Sequence, residues 1–275
     1  MKYVAFLDIL GFKNTLRNLK HSGAKSYIVK FSLEIYNEWK RNNKNSLDGY
    51  VISDSLIINS KDVSEKSLHD IINVTYEICR KEFIKNGILL RGGIAKGDFD
   101  KLNAESIDSL QKGLIVGQAY VDAYLLEGSN KLIGISMSKD VYSDICNFDF
   151  FNRDIVAEDD KYILRYIDIK LLMNPDNLYE FIKSAKESKW KPHYYNTIYF
   201  AIKGEKSKSS IDLVFSNIIN AVCNYKPGEN WRDIDNFIKN AFSENVMPGF
   251  QTRFLKYLRK KIIKSNEEIS NNFIL

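Results

Sequence analysis

The sequence predicts an α+β protein in which helices pack on one face of a sheet, followed by a helical C-terminal part. Over the first 168 residues, short apolar runs rich in β-branched side chains alternate with segments whose apolar residues recur at helical spacing. After about residue 170 only the helical spacing continues. Interleaved strands and helices with one hairpin among them favour an antiparallel or mixed sheet covered by helices.

The predicted strands are nearly continuous apolar runs or short alternating ones. They cover 3–9, two short strands within 48–60, 88–95, 113–116, 132–136 and 162–167. The first, YVAFLDI, reads as a central strand that is buried on both faces. The polar stretch 98–112 is predicted to be an exposed loop.

Helices are predicted where apolar residues recur every three or four positions. The first covers 24–41, the second runs from about 68 to the Asn86-Gly87 C-cap, and the third covers 117–127. The buried face of the third helix is expected to carry Val121, Tyr124 and Leu125. Four further helices are predicted at 177–189, 209–225, 231–242 and 250–264.

Length, charge and composition narrow the function classes. A chain of 275 residues holds one large domain or a medium domain with an appendage. Its net charge of +5 is too small to indicate nucleic-acid binding, and the basic helix at 253–264 is usually one with a solvated face, so we do not expect a nucleic-acid partner. No apolar stretch approaches the ~20 residues that span a bilayer. We expect a cytoplasmic protein without a membrane partner.

Cysteine and histidine do not suggest a soft-metal site. The three cysteines are widely spaced and form no CxxC pair, which fits buried or idle thiols in a reducing compartment. The three histidines form no HxxH pattern and are expected on the surface or on helix faces: His21, His69 and His193.

Two aspartates stand where a carboxylate is unexpected or ambiguous. Asp8 interrupts the first apolar strand, where an ionised carboxylate is costly unless it is paired or bound to a cation, although it could also cap the turn that follows. Asp54 lies in YVISDSLII, where Ser-Asp is ordinary turn chemistry. A strand and a neighbouring hairpin can bring both to one edge. With the carbonyl of Ile9 they would offer the hard oxygen ligands that Mg²⁺ or Mn²⁺ prefers.

A glycine turn follows the first strand. Gly11, Phe12 and Lys13 lie between this strand and a helical region, and backbone N–H groups in such a turn can cradle phosphates. Together with the two aspartates, this turn points to nucleotide chemistry.

Four segments in order resemble the motifs of class III nucleotide cyclases. They are FLDILGF at 6–12, the Ser53-Asp54 hairpin, RGGIAKG at 91–97 and GQAYVDAYLLE at 117–127. The resemblance covers about residues 1–168 and implies a ferredoxin-like (palm) cyclase domain there, with 169–275 as a helical C-terminal extension. It also implies that Asp8, Asp54 and the carbonyl of Ile9 bind two Mn²⁺ or Mg²⁺ ions, while Gly11, Phe12 and Lys13 bind the triphosphate.

The chain departs from that family at the residues that stabilise the transferring phosphate. The family's Asn and Arg on the last helix fall on Val121 and Leu125. Three cations are candidates to replace them, and the sequence does not rank them: Arg91, Lys96 and Lys101.

Tyr50 occupies the position where adenylate cyclases usually carry the Lys that reads adenine. A Tyr there, with the AYLLE form of the last helix, resembles the bacterial pyrimidine cyclases of the Pycsar antiphage system. That resemblance implies a homodimer with composite active sites and conversion of UTP to cyclic UMP, or of CTP to cyclic CMP, as an antiphage signal. By its residue type alone, Tyr50 could equally be a core aromatic. A purine cyclase with a divergent base pocket and a non-catalytic nucleotide-binding module remain alternatives.

Overall fold

The computed structural model describes residues 1–42, 46–102, 114–150, 154–158, 160–187, 191–203 and 205–225. The nine strands in this part of the chain are β1 (Lys2–Ile9), β2 (Leu47–Ile52), β3 (Ser55–Ser60), β4 (Leu90–Gly97), β5 (Asp100–Leu102), β6 (Leu114–Val116), β7 (Ile135–Met137), β8 (Ile155–Glu158) and β9 (Lys161–Leu164). The helices are α1 (Phe12–Asn18), α2 (His21–Asn42), α3 (Glu65–Asn86), α4 (Gln118–Ser129), α5 (Lys139–Asn147), α6 (Ile169–Leu172), α7 (Pro175–Glu187), α8 (Lys191–Ile202) and α9 (Lys208–Tyr225).

Seven strands form one sheet in the order β2-β3-β1-β4-β7-β9-β8, which confirms the predicted α+β class. β1 pairs antiparallel with both β3 and β4, and β2 pairs antiparallel with β3. This is the βαββαβ arrangement of ferredoxin-like folds, with β1 in the middle of its four strands. β7 continues the sheet parallel to β4, and β9 and β8 follow antiparallel.

Helices cover both faces of the sheet, so the expectation of helices on one face needs correction. Alternate residues of β1 point to opposite faces. Tyr3, Ala5 and Leu7 join the main core with α2 and α3, whereas Val4 and Phe6 join a second cluster with α4. The second face therefore has its own helix over β1 and β4.

The predicted buried face of α4 is wrong. Val121, Tyr124 and Leu125 are 45%, 53% and 60% exposed, and the buried residues of α4 are Ala119 and Ala123. Small residues let the helix approach the sheet closely, whereas larger side chains at those positions would hold it away.

Gly93 of β4 lies on the sheet directly beneath α4, close to Ala123. A Cβ atom there would lie 2.2 Å from the carbonyl oxygen of Ala123 and 2.7 Å from the Cβ of Leu126. The absence of a side chain at Gly93 therefore sets how closely α4 packs on β4.

Most other element predictions were confirmed where they fall on described residues, with a few omissions. The helix predicted from about 68 ends at Asn86 with Gly87 in the left-handed conformation (φ 65°), as its C-cap pattern predicted. The predicted loop 98–112 contains the short strand β5, and elements that lacked a clear pattern were missed: α1, α5, α6, α8 and β8. The predicted helices 231–242 and 250–264 lie outside the described residues.

The described C-terminal helices share the main core with the sheet. Leu178, Phe181, Ile198 and Phe215 belong to the same buried cluster as the residues of β1 and β4. Arg165 fixes the end of α8 by donating to its C-terminal carbonyl oxygens, the nearest at 2.7 Å. The predicted boundary at residue 168 stays a prediction. In the part of the chain that the structure describes, no helix combines the length and apolarity that a membrane span requires.

A buried glutamate lies between α2 and α3. Glu82 is fully buried; burial raises its pKa to about 8, and the charge of Glu34 adds to the shift while Asn86 and Lys85 oppose it. Between pH about 4.5 and 8 the folded state therefore keeps a proton that the unfolded state releases. It follows that the free energy of unfolding falls as the pH rises through this range.

We expect Glu82→Gln to remove this fall in the free energy of unfolding with rising pH. The variant should gain stability relative to the wild type as the pH rises from 5 to 8, by about 3 kcal/mol. Urea unfolding at pH 5, 6.5 and 8 measures the difference, with Glu65→Gln at the exposed start of the same helix as control. If the free energies of unfolding of variant and wild type differ by the same amount at all three pH values, Glu82 is not protonated in the folded state.

Candidate functional site

Asp8 lies near the end of β1, on the sheet face that carries α4. Its neighbours in register are Ser55 on β3 and Arg91 on β4. Ser55 Oγ donates to Asp8 Oδ1 at 3.0 Å. The carboxylate therefore lies on the same sheet face as Phe6.

Asp54 lies in the turn between β2 and β3, beside the end of β1. The turn places Ser53 at φ 57°, and the Ile9 N–H donates to the carbonyl oxygen of Asp54 at 3.2 Å. Because this bond uses the main chain, the side chain of Asp54 is left to other partners. The structure thus brings the two predicted carboxylates and Ile9 together at one end of the sheet.

Electrostatics at this site favour a cation. Burial raises the pKa of Asp8 to about 6, and the charges of Asp54 and Glu127 add to the shift, whereas the Ser55 hydrogen bond and the charge of Arg91 oppose it. A divalent cation beside Asp8 would stabilise the ionised form of this carboxylate, which burial disfavours.

The predicted glycine turn is present. Gly11 has φ 74°, which favours glycine, and it is the N-cap of α1. The Phe12 ring stacks on that of Tyr27, with centroids 6.4 Å apart, and Lys13 is exposed. The turn thus fixes Phe12 against α2 and leaves the ammonium group of Lys13 in solvent.

Tyr50 lies on β2 in register, across β3, with Phe6, the residue two positions before Asp8 on β1. It pairs with Ile57, which pairs in turn with Phe6, so the three residues share a face. The Tyr50 ring is half-buried against this cluster, and the Lys101 ammonium lies 4.5 Å from the ring centroid. Tyr50 is therefore on the same sheet face as Asp8, with a cation against its ring.

The structure separates the three candidate cations. Lys96 is paired in register with Tyr3, so it points to the opposite face, where it binds Asp144 at 2.7 Å. Arg91 faces Asp8 in register and forms an ion pair with Glu127 of α4. Lys101 lies at Tyr50. Lys96 is thus excluded from the site face, whereas Arg91 and Lys101 lie on it.

The residues can accommodate a hard divalent cation. Among the described residues there is no group of three or more His, Cys, Asp or Glu side chains that could hold a metal ion. The candidate site instead offers two carboxylates, Asp8 and Asp54, with backbone oxygen nearby. This oxygen donor set suits Mg²⁺ or Mn²⁺, whose remaining positions are filled by water and phosphate.

Three residues of this site have no role that the sequence indicates. Ser55 and Glu127 lie within quoted motifs but had no assigned role, and only the strand register and the position of α4 bring them to Asp8 and Arg91. His193 lies on helix α8, within the expectation of a surface or helix-face residue, but it is only 3% exposed and its Nε2 atom lies 3.0 Å from Arg91 Nη1. No local pattern marks that contact.

Comparisons with known proteins give structural neighbours only. No family model and no curated protein matches the chain. Similar solved structures include the adenylyl cyclase CyaB from P. aeruginosa, with 16% identity over 59% of this chain and 90% of that one and a TM-score of 0.45. The monomeric guanylyl cyclase domain of the RhoGC fusion protein from Blastocladiella emersonii gives 20% identity, 59% and 93% coverage and a TM-score of 0.46.

A third structure is the guanylate cyclase domain of RhGC from Catenaria anguillulae in complex with GTP. It has 18% identity, covers 59% of this chain and 92% of that one, and has a TM-score of 0.45. The fold of the present chain is established by its own strand order and register.

Proposed function

We propose that the chain is a divalent-metal-dependent nucleotide cyclase that converts UTP to cyclic UMP, with CTP to cyclic CMP as the alternative. The observation that carries the proposal is the meeting of Asp8 and Asp54 at one end of the sheet. The motif resemblance of residues 6–12 and 117–127 supports a cyclase over other metal-dependent chemistry. On the same resemblance, the product would serve as a second messenger in antiphage defence.

Asp8, Asp54 and the carbonyl of Ile9 would hold two Mn²⁺ or Mg²⁺ ions. When bound, such ions supply positive charge that lowers the pKa of a hydroxyl group and neutralises phosphate oxygens. Ser55 orients one oxygen of Asp8 toward itself and leaves the other for a ligand. Gly11, Phe12 and Lys13 would lie at the phosphates.

The reaction is intramolecular. The 3′-oxygen of the nucleotide bonds to its own α-phosphorus, the bond from that phosphorus to the bridging oxygen breaks, and pyrophosphate leaves with that electron pair. The hydroxyl proton passes to solvent. The protein needs no side-chain nucleophile, since positioning and charge stabilisation carry most of such a transfer.

Tyr50 and Lys101 support a pyrimidine base. The Tyr50 ring occupies space that a purine base would need. Its hydroxyl group and the neighbouring ammonium group of Lys101 can donate hydrogen bonds to carbonyl oxygens of the base. Uracil offers two such carbonyl oxygens, whereas cytosine replaces one of them with an amino group. These donors favour UTP over CTP.

A homodimer with composite sites fits the exposed apolar residues of the site face. Ile52 and Tyr124 are more than half exposed, and Tyr124 packs edge-on against Phe6 beside the row of Tyr50. Apolar side chains gathered around a site are typical of an interface. In such a dimer Asp8 and Asp54 would come from one protomer and Tyr50 from its partner.

A nucleotide panel tests the proposal. We expect the purified full-length chain with Mn²⁺ to form cyclic UMP from UTP and little or no product from ATP and GTP, with products identified by chromatography and mass spectrometry. Cyclic CMP alone would select the alternative, and a purine product would overturn the base assignment.

One observation favours a non-catalytic nucleotide-binding module. Val121 and Leu125 are exposed apolar residues of α4 at the positions where the family's Asn and Arg are expected. Nucleotide binding with no product from any of the four triphosphates, in the presence of Mn²⁺ or Mg²⁺, would support this function over the cyclase.

A further inference from the structure

We propose that helix α8 of the C-terminal extension is part of the carboxylate site, with His193 as a positioning residue that holds Arg91 away from Asp8. The proposal deepens the proposed function and rests on it for the role of Asp8 as a metal ligand. The contact between His193 and Arg91 does not depend on that role.

Arg91 lies at the centre of a buried polar cluster. Its side chain is 13% exposed, and its ion-pair partner Glu127 is 11% exposed. In the strand register Arg91 stands directly opposite Asp8. Its Nη1 atom lies 3.0 Å from Nε2 of His193. The guanidinium thus has partners from α4 and α8, next to the carboxylate of β1.

The imidazole of His193 is suited to accept from a cation. Burial lowers its pKa to about 4, and the positive charges of Arg91 and Lys131 add to the shift. At neutral pH the ring is therefore uncharged, and a neutral imidazole with its proton on Nδ1 offers Nε2 as an acceptor. The proton of this contact comes from the guanidinium of Arg91.

α8 is fixed to the segment that follows α4. Thr197 Oγ1 accepts from the Ile133 N–H at 2.7 Å and donates to the carbonyl oxygen of His193 at 2.7 Å. Asn196 Nδ2 donates to the carbonyl oxygen of Lys131 at 2.5 Å. Helix α8, which carries His193, is therefore bonded to the segment that directly follows α4, the helix that carries Glu127. A shift of α8 would act on the contacts that Arg91 makes with His193 and with Glu127.

Loss of the His193 acceptor would remove the contact that α8 makes with the guanidinium. Arg91 already favours the ionised form of Asp8 through its charge, while the hydrogen bond to that carboxylate comes from Ser55. A guanidinium released from His193 can turn to Asp8 and form a charge-assisted pair with it. It would then compete with a divalent cation for the same oxygens.

Two variants of His193 separate this role from simple packing. His193→Leu keeps a similar volume and removes the acceptor, whereas His193→Gln places an amide oxygen near the Nε2 position and should restore the contact. His21→Leu, at the exposed start of α2, is the matched control. Thermal melts establish folding first. Should His193→Leu not fold, His193→Asn, whose amide falls short of the Nε2 position, takes its place.

The first measurement is the metal-free crystal structure of each full-length protein. We expect the Arg91 guanidinium to move to Asp8 in His193→Leu and to stay with Glu127 and residue 193 in the wild type and His193→Gln. An unmoved guanidinium in His193→Leu would overturn the proposal, whether or not the protein is a cyclase.

The second measurement is Mn²⁺ binding by calorimetry. We expect His193→Leu to bind Mn²⁺ about tenfold more weakly than the wild type, as losses of residues that orient metal ligands typically do. His193→Gln and His21→Leu should bind like the wild type. If His193→Leu binds Mn²⁺ as tightly as the wild type, the positioning role is overturned. If the wild type binds no Mn²⁺, the proposed metal site is overturned, and the crystal structures alone decide the role of His193.

Discussion

Asp54→Asn should abolish cyclic nucleotide formation while the fold stays intact. The substitution keeps the size of the side chain and removes the charge that would hold a divalent cation. Cation binding is worth several kcal/mol of transition-state stabilisation, so we expect a loss of at least ~10³-fold in kcat. The turn itself should survive, because the Ile9 N–H bonds to the main-chain oxygen of residue 54.

The rate of product formation and the melting temperature are measured together for this variant. Asp140→Asn, an exposed aspartate in the first turn of α5, is the control and should keep wild-type activity. If Asp54→Asn retains a tenth or more of the wild-type rate with Mn²⁺, Asp54 is not a metal ligand and the site must be reassigned.

Gly93→Ala should destabilise the protein by about 3 kcal/mol. The new Cβ would meet the carbonyl oxygen of Ala123 at 2.2 Å, and a backbone atom of a packed helix cannot move aside as a flexible side chain can. α4 would have to lift from β4. This shift would also disturb the ion pair of Glu127 with Arg91.

Gly128→Ala on α4 is the matched control. A Cβ at Gly128 would have no heavy atom within 4 Å, and alanine favours the helix, so this variant should equal the wild type or exceed its stability by about 0.5 kcal/mol. Urea unfolding measures both. A Gly93→Ala variant as stable as the wild type would contradict the close packing of α4 on the sheet.

The fold was largely predictable because its strongest signals are local. The apolar run of β1, the hairpin around Ser53 and the Gly87 C-cap each depend on a few contiguous residues, and the structure has each of them. α4 shows where such signals fail. Its larger apolar residues suggested the buried face, but the close approach at Gly93 requires Ala119 and Ala123 there instead.

The candidate site was predictable only in part. Asp8 stood out because a carboxylate in an apolar strand is costly, and Asp54, in an ordinary turn, became a candidate only beside it. The structure places the two together; their metal-binding role stays a prediction. The three candidate cations could not be ranked, because a sequence does not say which face of a strand a residue occupies. The strand register decided that Lys96 lies on the sheet face opposite to that of Asp8 and that Arg91 lies on the same face.

The sequence by itself determined the strands and helix α4 around the site, the α+β class and the two carboxylates, since backbone preference and apolar periodicity belong to neighbouring residues. Only the tertiary structure decided that Arg91 meets both Glu127 and His193, the latter 102 residues away along the chain. The physical reason is that such a contact depends on the strand order and on the packing of α4 and α8, which no segment encodes alone.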